Sequence, residues 1–448
     1  MPKLDKLVRN SDLEATLIDA RDRYAAARPK SAMIHEVARN VLPGGNTRSV
    51  LFYKPFPTAM TRGESCFLED VDGHRYLDLC GEYSAGLFGH TEARIQASLH
   101  AAIDRGLNFA AVGEQEGQLA ALLCTRFPSL KRVRFTNSGT EANMMALGAA
   151  RAFSGRAGVL GFHGGYHGGL MTFVGGGSVT NVPVPITLVD YNDGPRAATA
   201  LREGKNVIGA VIVEPMLGSG GCIPASQEFL TTLRTVTEEV GALLIFDEVM
   251  TSRHSAGGLQ KRFNITPDLS TFGKYMAGGM SFGAFGGRMD VMDLFDGHRP
   301  GALSHSGTFN NNVMSMSAGV VAMGDLFDAA TAEAHFVRGE ELRESLNAVC
   351  KRHKVSMHFS GLGSMMQPHF RNGPIVRPYV ADPIEDSLRE LFFFDMMAAG
   401  IYMARRGMVA LSLPVGHAEC ERFVAAVDEY CASRAPLFPP NHLQPSLH

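Results

Sequence analysis

The stretch GALLIFDEVMT at residues 241–251 decides the fold, because an unbroken apolar run ends in two adjacent carboxylates. A second apolar run, VIGAVIV at residues 207–213, precedes it at a separation that suits one βαβ crossover. Near-continuous apolar strands are typical of a parallel sheet that is covered on both faces. We therefore predict an α/β fold in which Asp247 and Glu248 stand at the carboxyl end of a strand, where open α/β sheets bind ligands.

The regions on either side of this sheet have different patterns. Residues 1–80 form an N-terminal segment with two patterns. In residues 1–40 the apolar side chains recur at helical spacing. In the rest of the segment, turn signals alternate with short apolar runs, which indicates antiparallel strands. Residues 326–448 combine helical stretches with short strands, as in a second, smaller α+β lobe. We predict that 81–325 forms the large domain between these two segments.

The composition is that of an ordinary globular protein, with 45% hydrophobic and 19% charged residues in a chain of 448. The net charge of -3 provides no basic field for nucleic acid. The sequence contains neither a long apolar run that would cross a membrane nor an apolar leader, so we expect a cytoplasmic protein. Its seven scattered cysteines suggest neither a disulfide framework nor a zinc site.

The segment VRFTNSGTEAN predicts a phosphate-binding turn. A short strand, Val133–Phe135, leads into Ser138, Gly139 and Thr140 at the start of a helix. The free N–H groups and positive dipole of a helix N-terminus suit a phosphate monoester. Ser138 and Glu141 also have the spacing of a capping box. Taken alone, such a segment is more often a plain helix cap.

Two further segments carry ionisable groups that suit a charged aromatic aldehyde. Asp247 is costly at a buried strand end unless it has a partner, and a protonated pyridine nitrogen would be one. Lys274 lies in the glycine-rich stretch TFGKYMAGGMSFGAFGG, where the backbone can approach a ligand closely. Burial and nearby positive charge would lower the pKa of this lysine and make it a nucleophile. Taken alone, a lysine is more often a solvated surface charge, and a DE pair at a strand end is more often a helix cap or a surface salt bridge.

The segment FHGGYHGG at residues 162–169 places an aromatic ring in a glycine loop. Tyr166 follows the apolar run Gly158–Phe162 and suits a stacking platform for a flat ligand. His163 and His167 have the spacing of a metal pair on a helix. Four glycines in the segment argue against a helix, so we predict no metal site.

The last segment, SHSGTFNNNV at residues 304–313, predicts another helix N-terminus with spare donors beside Thr308. In this order, the motifs NSGTEAN, YHG, VEP, DEVMT, TFGK and SGTFNNN resemble those of the class III (omega) aminotransferases, over roughly residues 40–430. The resemblance implies pyridoxal-phosphate (PLP) fold type I. It also implies a mostly parallel seven-stranded sheet in the large domain and a smaller α+β domain from both chain ends.

The resemblance also implies a role for each motif. Lys274 would hold PLP as a Schiff base and then carry the reacting proton, and Asp247 would pair with the pyridine nitrogen. A homodimer with shared active sites is implied. The other implied cofactor contacts are Ser138, Gly139 and Thr140 for the phosphate, Tyr166 and Val249 for the two ring faces, Met250 beside them, and Thr308 for the phosphate in the neighbouring subunit.

Within the family, the segments GGNTRSVLFY (44–53) and IYMARRGMVALSLP (401–414) resemble the β-amino acid aminotransferases of the β-phenylalanine type. This implies that Arg48 binds the donor carboxylate and that Arg406 helps to receive the keto acid, although its neighbour Arg405 could take that role. The implied reaction moves the amino group of a β-amino acid, such as 3-amino-3-phenylpropanoate, to 2-oxoglutarate or pyruvate by a ping-pong mechanism.

Two other functions remain open. The first is glutamate-1-semialdehyde 2,1-aminomutase, an intramolecular reaction in which Arg406 would lack an obvious task. The pairs Ser252-Arg253 and Asn312-Val313 depart from the usual family pattern and weaken this alternative. The second is a non-catalytic PLP-binding sensor, against which the intact Lys274 and Asp247 both argue.

Overall fold

The computed structural model describes residues 2–439. It contains α-helices at Pro2–Ala26 (α1), Pro29–Arg39 (α2), Ala93–Arg105 (α3), Glu114–Arg126 (α4), Gly139–Ser154 (α5), Gly194–Glu203 (α6), Gln227–Val240 (α7), Gly258–Arg262 (α8), Met289–Met292 (α9), Val313–Val321 (α10), Ala329–Arg352 (α11), Pro383–Ala398 (α12) and His417–Arg434 (α13).

The strands lie at Met60–Glu64 (β1), Phe67–Asp70 (β2), Arg75–Asp78 (β3), Arg132–Thr136 (β4), Gly158–Phe162 (β5), Ile186–Val189 (β6), Ile208–Val213 (β7), Met216–Leu217 (β8), Ile223–Pro224 (β9), Leu243–Asp247 (β10), Leu269–Gly273 (β11), Gly283–Gly287 (β12), His358–Leu362 (β13), Met365–His369 (β14), Ile401–Tyr402 (β15) and Val409–Ala410 (β16).

The central sheet has seven strands in the order β4-β12-β11-β10-β7-β5-β6. β12 runs antiparallel to both of its neighbours, and the other strands share one direction. The predicted mostly parallel sheet of seven strands is therefore confirmed. The predicted crossover is also confirmed, since β7 and β10 pair in parallel and α7 connects them.

The apolar runs explain why this sheet is covered on both faces. Every residue of β5, β7 and β10 is buried. Alternate residues along the strands face opposite sides. Val213 and Phe246 pack in one apolar cluster with α7, while Ile212 and Ile245 pack in another with α5. The helices thus supply the two outer layers.

The two chain ends form a separate apolar core. One cluster of buried side chains draws its members from residues 13–79 and 342–438. β1, β2 and β3 pair antiparallel as predicted, and β15 from the C-terminal region adds to β3 in parallel. This is the predicted smaller α+β unit built from both ends. The domain boundaries after residues 80 and 325 stay predictions.

Between residues 2 and 439, no single helix has the length and hydropathy needed to cross a membrane. The helical segments Val313–Leu326 and Ala329–Arg352 meet that test only as a pair, and they are bent by 80° at their junction.

Candidate active site

The largest set of predicted site residues meets in one cavity of about 810 Å³. It lies where β4, β5, β7, β10 and β11 end, because the residues following these strands line it. The predicted residues that line it are Arg48, Ser138, Gly139, Thr140, Tyr166, Asp247, Val249, Met250, Lys274 and Arg406. Thr308 does not line this cavity, and neither does Arg405, the alternative to Arg406.

Lys274 follows directly after β11. Its backbone is left-handed, with φ of 56°, which is uncommon for a residue with a Cβ and marks a position held by its surroundings. Burial, together with the charge of the Arg406 guanidinium, lowers the pKa of the Lys274 amine to about 8. The Asp247 carboxylate acts in the opposite direction on this pKa. The site therefore provides an amine that is easily deprotonated.

Asp247 ends β10 and is buried, with three neighbours that hold its carboxylate. Its Oδ2 lies 2.8 Å from His167 Nδ1 and accepts a hydrogen bond of 2.8 Å from Asn143 Nδ2. Its Oδ1 accepts one of 3.0 Å from the Val249 N–H. Thr271 Oγ1 donates to Asn143 Oδ1 at 2.6 Å, which fixes the orientation of that amide. His167 and Asn143 were missed as functional residues, since no local spacing links either of them to Asp247.

Glu248, the next residue, has a structural role. Its buried carboxylate accepts hydrogen bonds from the Leu259 and Gln260 N–H groups at the start of α8, at 3.0 and 2.8 Å. Thr251 Oγ1 donates to it at 2.8 Å. The two residues of the DE pair thus have different roles, because Glu248 caps a helix while Asp247 lines the cavity.

The predicted phosphate turn lies at the start of α5. Ser138 is the N-cap, and its Oγ accepts the Glu141 N–H at 3.2 Å. The capping box is only half right, because Glu141 Oε2 accepts the N–H of Asn137 at 3.0 Å. The first N–H groups of a helix have no acceptor within it, so they remain available to an anion. A Cβ on Gly139 would lie 2.9 Å from the Val249 side chain, so this turn requires glycine.

The glycine loop after β5 is not helical, as predicted, and its two histidines lie in different environments. His163 is exposed, whereas His167 is buried against Asp247. Tyr166, which lies between the two histidines in the sequence, is 40% exposed and lines the cavity. No group of three or more His, Cys, Asp or Glu side chains is arranged for a metal ion in residues 2–439.

Glu214 is a buried carboxylate for which the sequence motifs predicted no role. It follows β7 in the VEP motif and lines the cavity. Its Oε1 accepts the Tyr166 N–H at 2.8 Å, and its Oε2 accepts the Gly218 N–H at 2.9 Å. Burial raises the pKa of Glu214 to about 7, and the nearby His167 opposes that rise. Through these two hydrogen bonds, Glu214 connects the loop that carries Tyr166 to the end of β7.

Arg48 and Arg406 approach the cavity from outside the central sheet. Their guanidinium carbons lie 5.1 and 5.3 Å from the centre of the Tyr83 ring. Arg48 forms an ion pair with Glu82. Arg406 Nη2 lies 3.3 Å from Met408 Sδ, and its Nε is buried without a hydrogen-bond partner. One arginine is therefore engaged by a carboxylate, and the other is engaged by none within the described residues.

Arg405 occupies a different environment from its neighbour Arg406. It forms an ion pair with Glu390, which also binds Arg21 at 2.7 Å. Arg405 does not line the cavity. Of the two adjacent arginines, Arg406 is the one in position to meet a ligand.

Thr308 lies at a second cavity, of about 480 Å³, which is also lined by Leu107 and Phe309. Its side chain is exposed. The helix N-terminus predicted beside it exists, but its cap is Asn312, whose side chain accepts the Met314 and Ser315 N–H groups at 3.0 and 3.2 Å. Thr308 therefore lies before the helix N-terminus and is not its cap.

The donors and charges in the main cavity fit one kind of ligand. The start of α5 suits a phosphate monoester, and the Lys274 amine suits an aldehyde. The buried Asp247 carboxylate suits a protonated ring nitrogen, whose charge would compensate it. Fold and cavity together define a class of enzyme that holds a phosphate-bearing aldehyde on a lysine at the carboxyl ends of its strands.

Comparisons with known proteins narrow this class. The family model for class III aminotransferases matches residues 52–413. The chain is 46% identical to the beta-phenylalanine transaminase of Variovorax paradoxus, over 95% of this chain and 98% of that one. The crystal structure of the beta-phenylalanine aminotransferase from that organism matches with a TM-score of 0.94, over 96% of this chain and 100% of the other, also at 46% identity. The glutamate-1-semialdehyde 2,1-aminomutase of Methanocaldococcus jannaschii is 33% identical, over 84% of this chain and 91% of that one.

The chain belongs to the class III aminotransferases. It is a PLP-dependent transaminase of fold type I, which uses an amino donor and a keto acid. A transaminase solved with PLP bound matches it at 28% identity with a TM-score of 0.83, over 90% of this chain and 97% of the other. The cofactor predicted from the sequence is thereby confirmed.

Proposed function

We propose that this enzyme transfers the amino group of an aromatic β-amino acid, such as 3-amino-3-phenylpropanoate, to 2-oxoglutarate or pyruvate by a ping-pong mechanism. The observation that carries the proposal is the presence of two arginines, Arg48 and Arg406, on one cavity beside Tyr83. The similarity to a β-phenylalanine transaminase supports the same donor class.

The cofactor would be held by the groups at the strand ends. Ser138, Gly139 and Thr140 would bind its phosphate, and Asp247 would neutralise its ring nitrogen. Tyr166 and Val249 would cover the two ring faces, with Met250 beside Val249. PLP supplies an electron sink that stabilises negative charge at the amine-bearing carbon.

Lys274 would be the acid and base of each half-reaction. A pKa of about 8 lets its amine take a proton from the donor carbon and return it near neutral pH, because proton transfer is efficient when the pKa lies near the working pH. His167 would act through Asp247, since it contacts that carboxylate and holds it in place.

Arg48 would bind the donor carboxylate, and Arg406 would bind a carboxylate of the keto acid. Two sites make chemical sense, because a β-amino acid carries its carboxylate one carbon further from the amine than an α-amino acid does. The planar fork of a guanidinium matches a carboxylate with two hydrogen bonds. Arg406, which lacks a carboxylate partner in the described chain, is free to accept one.

We further propose that the enzyme works in the cytoplasm as a homodimer. Thr308 would bind the cofactor phosphate in the neighbouring subunit, which agrees with its exposure at a separate cavity of this chain. Sedimentation of the wild type and of a Thr308→Ala variant, with a PLP titration of each, would test this. A dimer whose PLP affinity is unchanged by the substitution would contradict the role of Thr308.

The experiment that tests the reaction mixes the PLP-loaded enzyme with one amino donor at a time. We expect 3-amino-3-phenylpropanoate to convert the cofactor to its pyridoxamine form, and 2-oxoglutarate or pyruvate to restore it. Absorbance follows both steps. Glutamate-1-semialdehyde should be a poor donor. Efficient turnover of the semialdehyde without a second keto acid would favour the aminomutase, and no conversion by any donor would favour a sensor.

The donor site is tested by Arg48→Ala. The variant should lose activity with 3-amino-3-phenylpropanoate and retain activity with 1-phenylethylamine, which has the ring and amine without the carboxylate. Because a hydrogen bond to a charged group contributes about 1.5–3 kcal/mol, the expected rise in KM is about 10- to 100-fold. An equal loss with both donors would give Arg48 a structural role.

A further inference from the structure

The turn from Gly81 to Ser84 has an unusual backbone. Its four residues all have positive φ, at 50°, 46°, 54° and 78°. Three of them, Glu82, Tyr83 and Ser84, carry side chains, which the left-handed region disfavours. Residues held in such conformations cluster at functional sites, where the surrounding structure maintains them. This turn lies beside the active site, because Tyr83 lines its cavity.

The surroundings hold the turn from two sides. A Cβ on Gly81 would lie 2.6 Å from the carbonyl oxygen of Ala410 in β16, so the chain approaches that strand closely. The fully buried Arg253 donates to the carbonyl oxygen of Ser84 at 3.3 Å and also to that of Leu411. Arg253 thus links the end of the turn to the chain that continues from β16.

The turn presents two side chains to the arginines. Glu82 forms an ion pair with Arg48. The Tyr83 ring lies beside both guanidinium groups and donates its hydroxyl to the carbonyl oxygen of Val50 at 3.2 Å. Arg406, on the same ring, has no carboxylate partner in the described chain. A carboxylate of the protein is therefore bound to the arginine that the proposed function assigns to the donor.

We propose that Glu82 is an internal carboxylate that occupies Arg48 until a substrate carboxylate replaces it. This inference rests on the proposed donor-binding role of Arg48. Glu82 has a side chain 60% exposed, so water can receive it when it leaves. The Arg48–Glu82 ion pair must open before a substrate carboxylate can bind Arg48, so Glu82 weakens carboxylate binding.

The pair is exposed, so its effect is limited. Ion pairs exposed to water are weak, and removing this one should tighten carboxylate binding by up to about fivefold. The probe is 3-phenylpropanoate, which has the ring and carboxylate of the proposed donor and no amino group to react. Calorimetric titration of the PLP-loaded enzyme measures its affinity. We expect tighter binding to Glu82→Gln than to the wild type.

A second substitution, Glu82→Asn, protects the test against misfolding, because asparagine tolerates the left-handed region. It should also tighten binding. A matched control is Glu64→Gln, which removes another exposed ion pair, with Arg62 at 3.1 Å, outside the cavity. A matched ligand is 3-phenylpropan-1-ol, which lacks the charge. Neither the control variant nor the alcohol should show a change in affinity.

Arg48→Ala completes the cycle. In that background, Glu82→Gln should no longer improve binding of 3-phenylpropanoate. Unchanged or weaker binding in Glu82→Gln, or an equal gain for the alcohol, would overturn the proposal. The role of Glu82 and the proposed function fail separately, because the titration needs no turnover. Failure of 3-amino-3-phenylpropanoate to react with the wild type would refute the reaction and leave the titration valid.

Discussion

The two ends of the active-site cavity are built in opposite ways. At the cofactor end, Asp247 is 4% exposed, and His167 and Asn143 are 1% exposed, and hydrogen bonds connect all three. At the substrate end, the side chains of Arg48 and Glu82 are 43% and 60% exposed and form a single ion pair. Buried charge is costly to separate from its partners, whereas exposed pairs exchange readily. Under the proposed function, the cavity would therefore combine a fixed site for the cofactor with an adaptable one for changing substrates.

The largest effect should come from removing the reacting amine at the fixed end. Lys274→Ala should lower kcat by at least about 10⁴-fold, since it removes both the attachment of the cofactor and the proton carrier. The absorbance of lysine-bound cofactor should also disappear. The control is Lys261→Ala, an exposed lysine in α8, which should behave like the wild type. Retained turnover in Lys274→Ala would refute the assignment of this residue.

The next largest effect should distinguish the roles of two adjacent buried carboxylates, Asp247 and Glu248. Asp247→Asn breaks a buried charge pair, which costs about 3–5 kcal/mol, so we expect kcat to fall by about 10²- to 10⁴-fold and PLP to bind more weakly. Glu248→Gln should lower the melting temperature and leave kcat near that of the wild type, because Glu248 caps α8. Titration with PLP and steady-state kinetics distinguish the two. Similar kcat values for both variants would mean that Asp247 is structural too.

A smaller effect is expected at the adaptable end. Arg406→Ala should raise the KM for the keto acid by about 10- to 100-fold through the loss of a charged hydrogen bond. Arg405→Ala is the matched control, because Arg405 is bound to Glu390 away from the cavity and should leave this KM unchanged. The reverse result would assign the keto acid to Arg405.

Sequence reasoning predicted the fixed end far better than the adaptable one. Strand ends and glycine turns are local patterns, so the positions of Ser138, Asp247 and Lys274 could be predicted from their own segments. The neighbours of Asp247 could not, because His167 and Asn143 reach it across 80 and 104 residues of chain. Such contacts depend on how the strands are ordered in the sheet.

The substrate end shows the same limit more strongly. The resemblance to a family predicted Arg48 and Arg406 without resolving Arg406 from Arg405. Their surroundings favour Arg406, since of these two arginines only Arg405 is engaged by the carboxylate of Glu390 within the described residues. The left-handed turn that carries Glu82 and Tyr83 had no sequence signal, because three of its four residues have side chains that favour other conformations. Tertiary contacts from Arg253 hold it in place.

The smallest effect links the two ends through the pKa of Lys274. In the cofactor-free protein, burial and the Arg406 charge lower that pKa to about 8. Only the neutral amine attacks an aldehyde, so the rate of PLP capture should rise about tenfold per pH unit below 8 and level off above it. With an ordinary lysine, the rate of PLP capture would keep rising up to a pH of about 10.4. Stopped-flow absorbance at several pH values measures this profile.

The arginine at the adaptable end should move that profile. Arg406→Met removes a positive charge that disfavours the protonated amine, so the plateau should begin at higher pH. Arg405→Met should leave it in place, because Arg405 is paired with Glu390 and does not line the cavity. If both variants keep the wild-type profile, the charge of Arg406 does not contribute to the pKa of Lys274. The two ends of the cavity would then act independently, and Arg406 would influence substrates without influencing the lysine that we propose as the proton carrier.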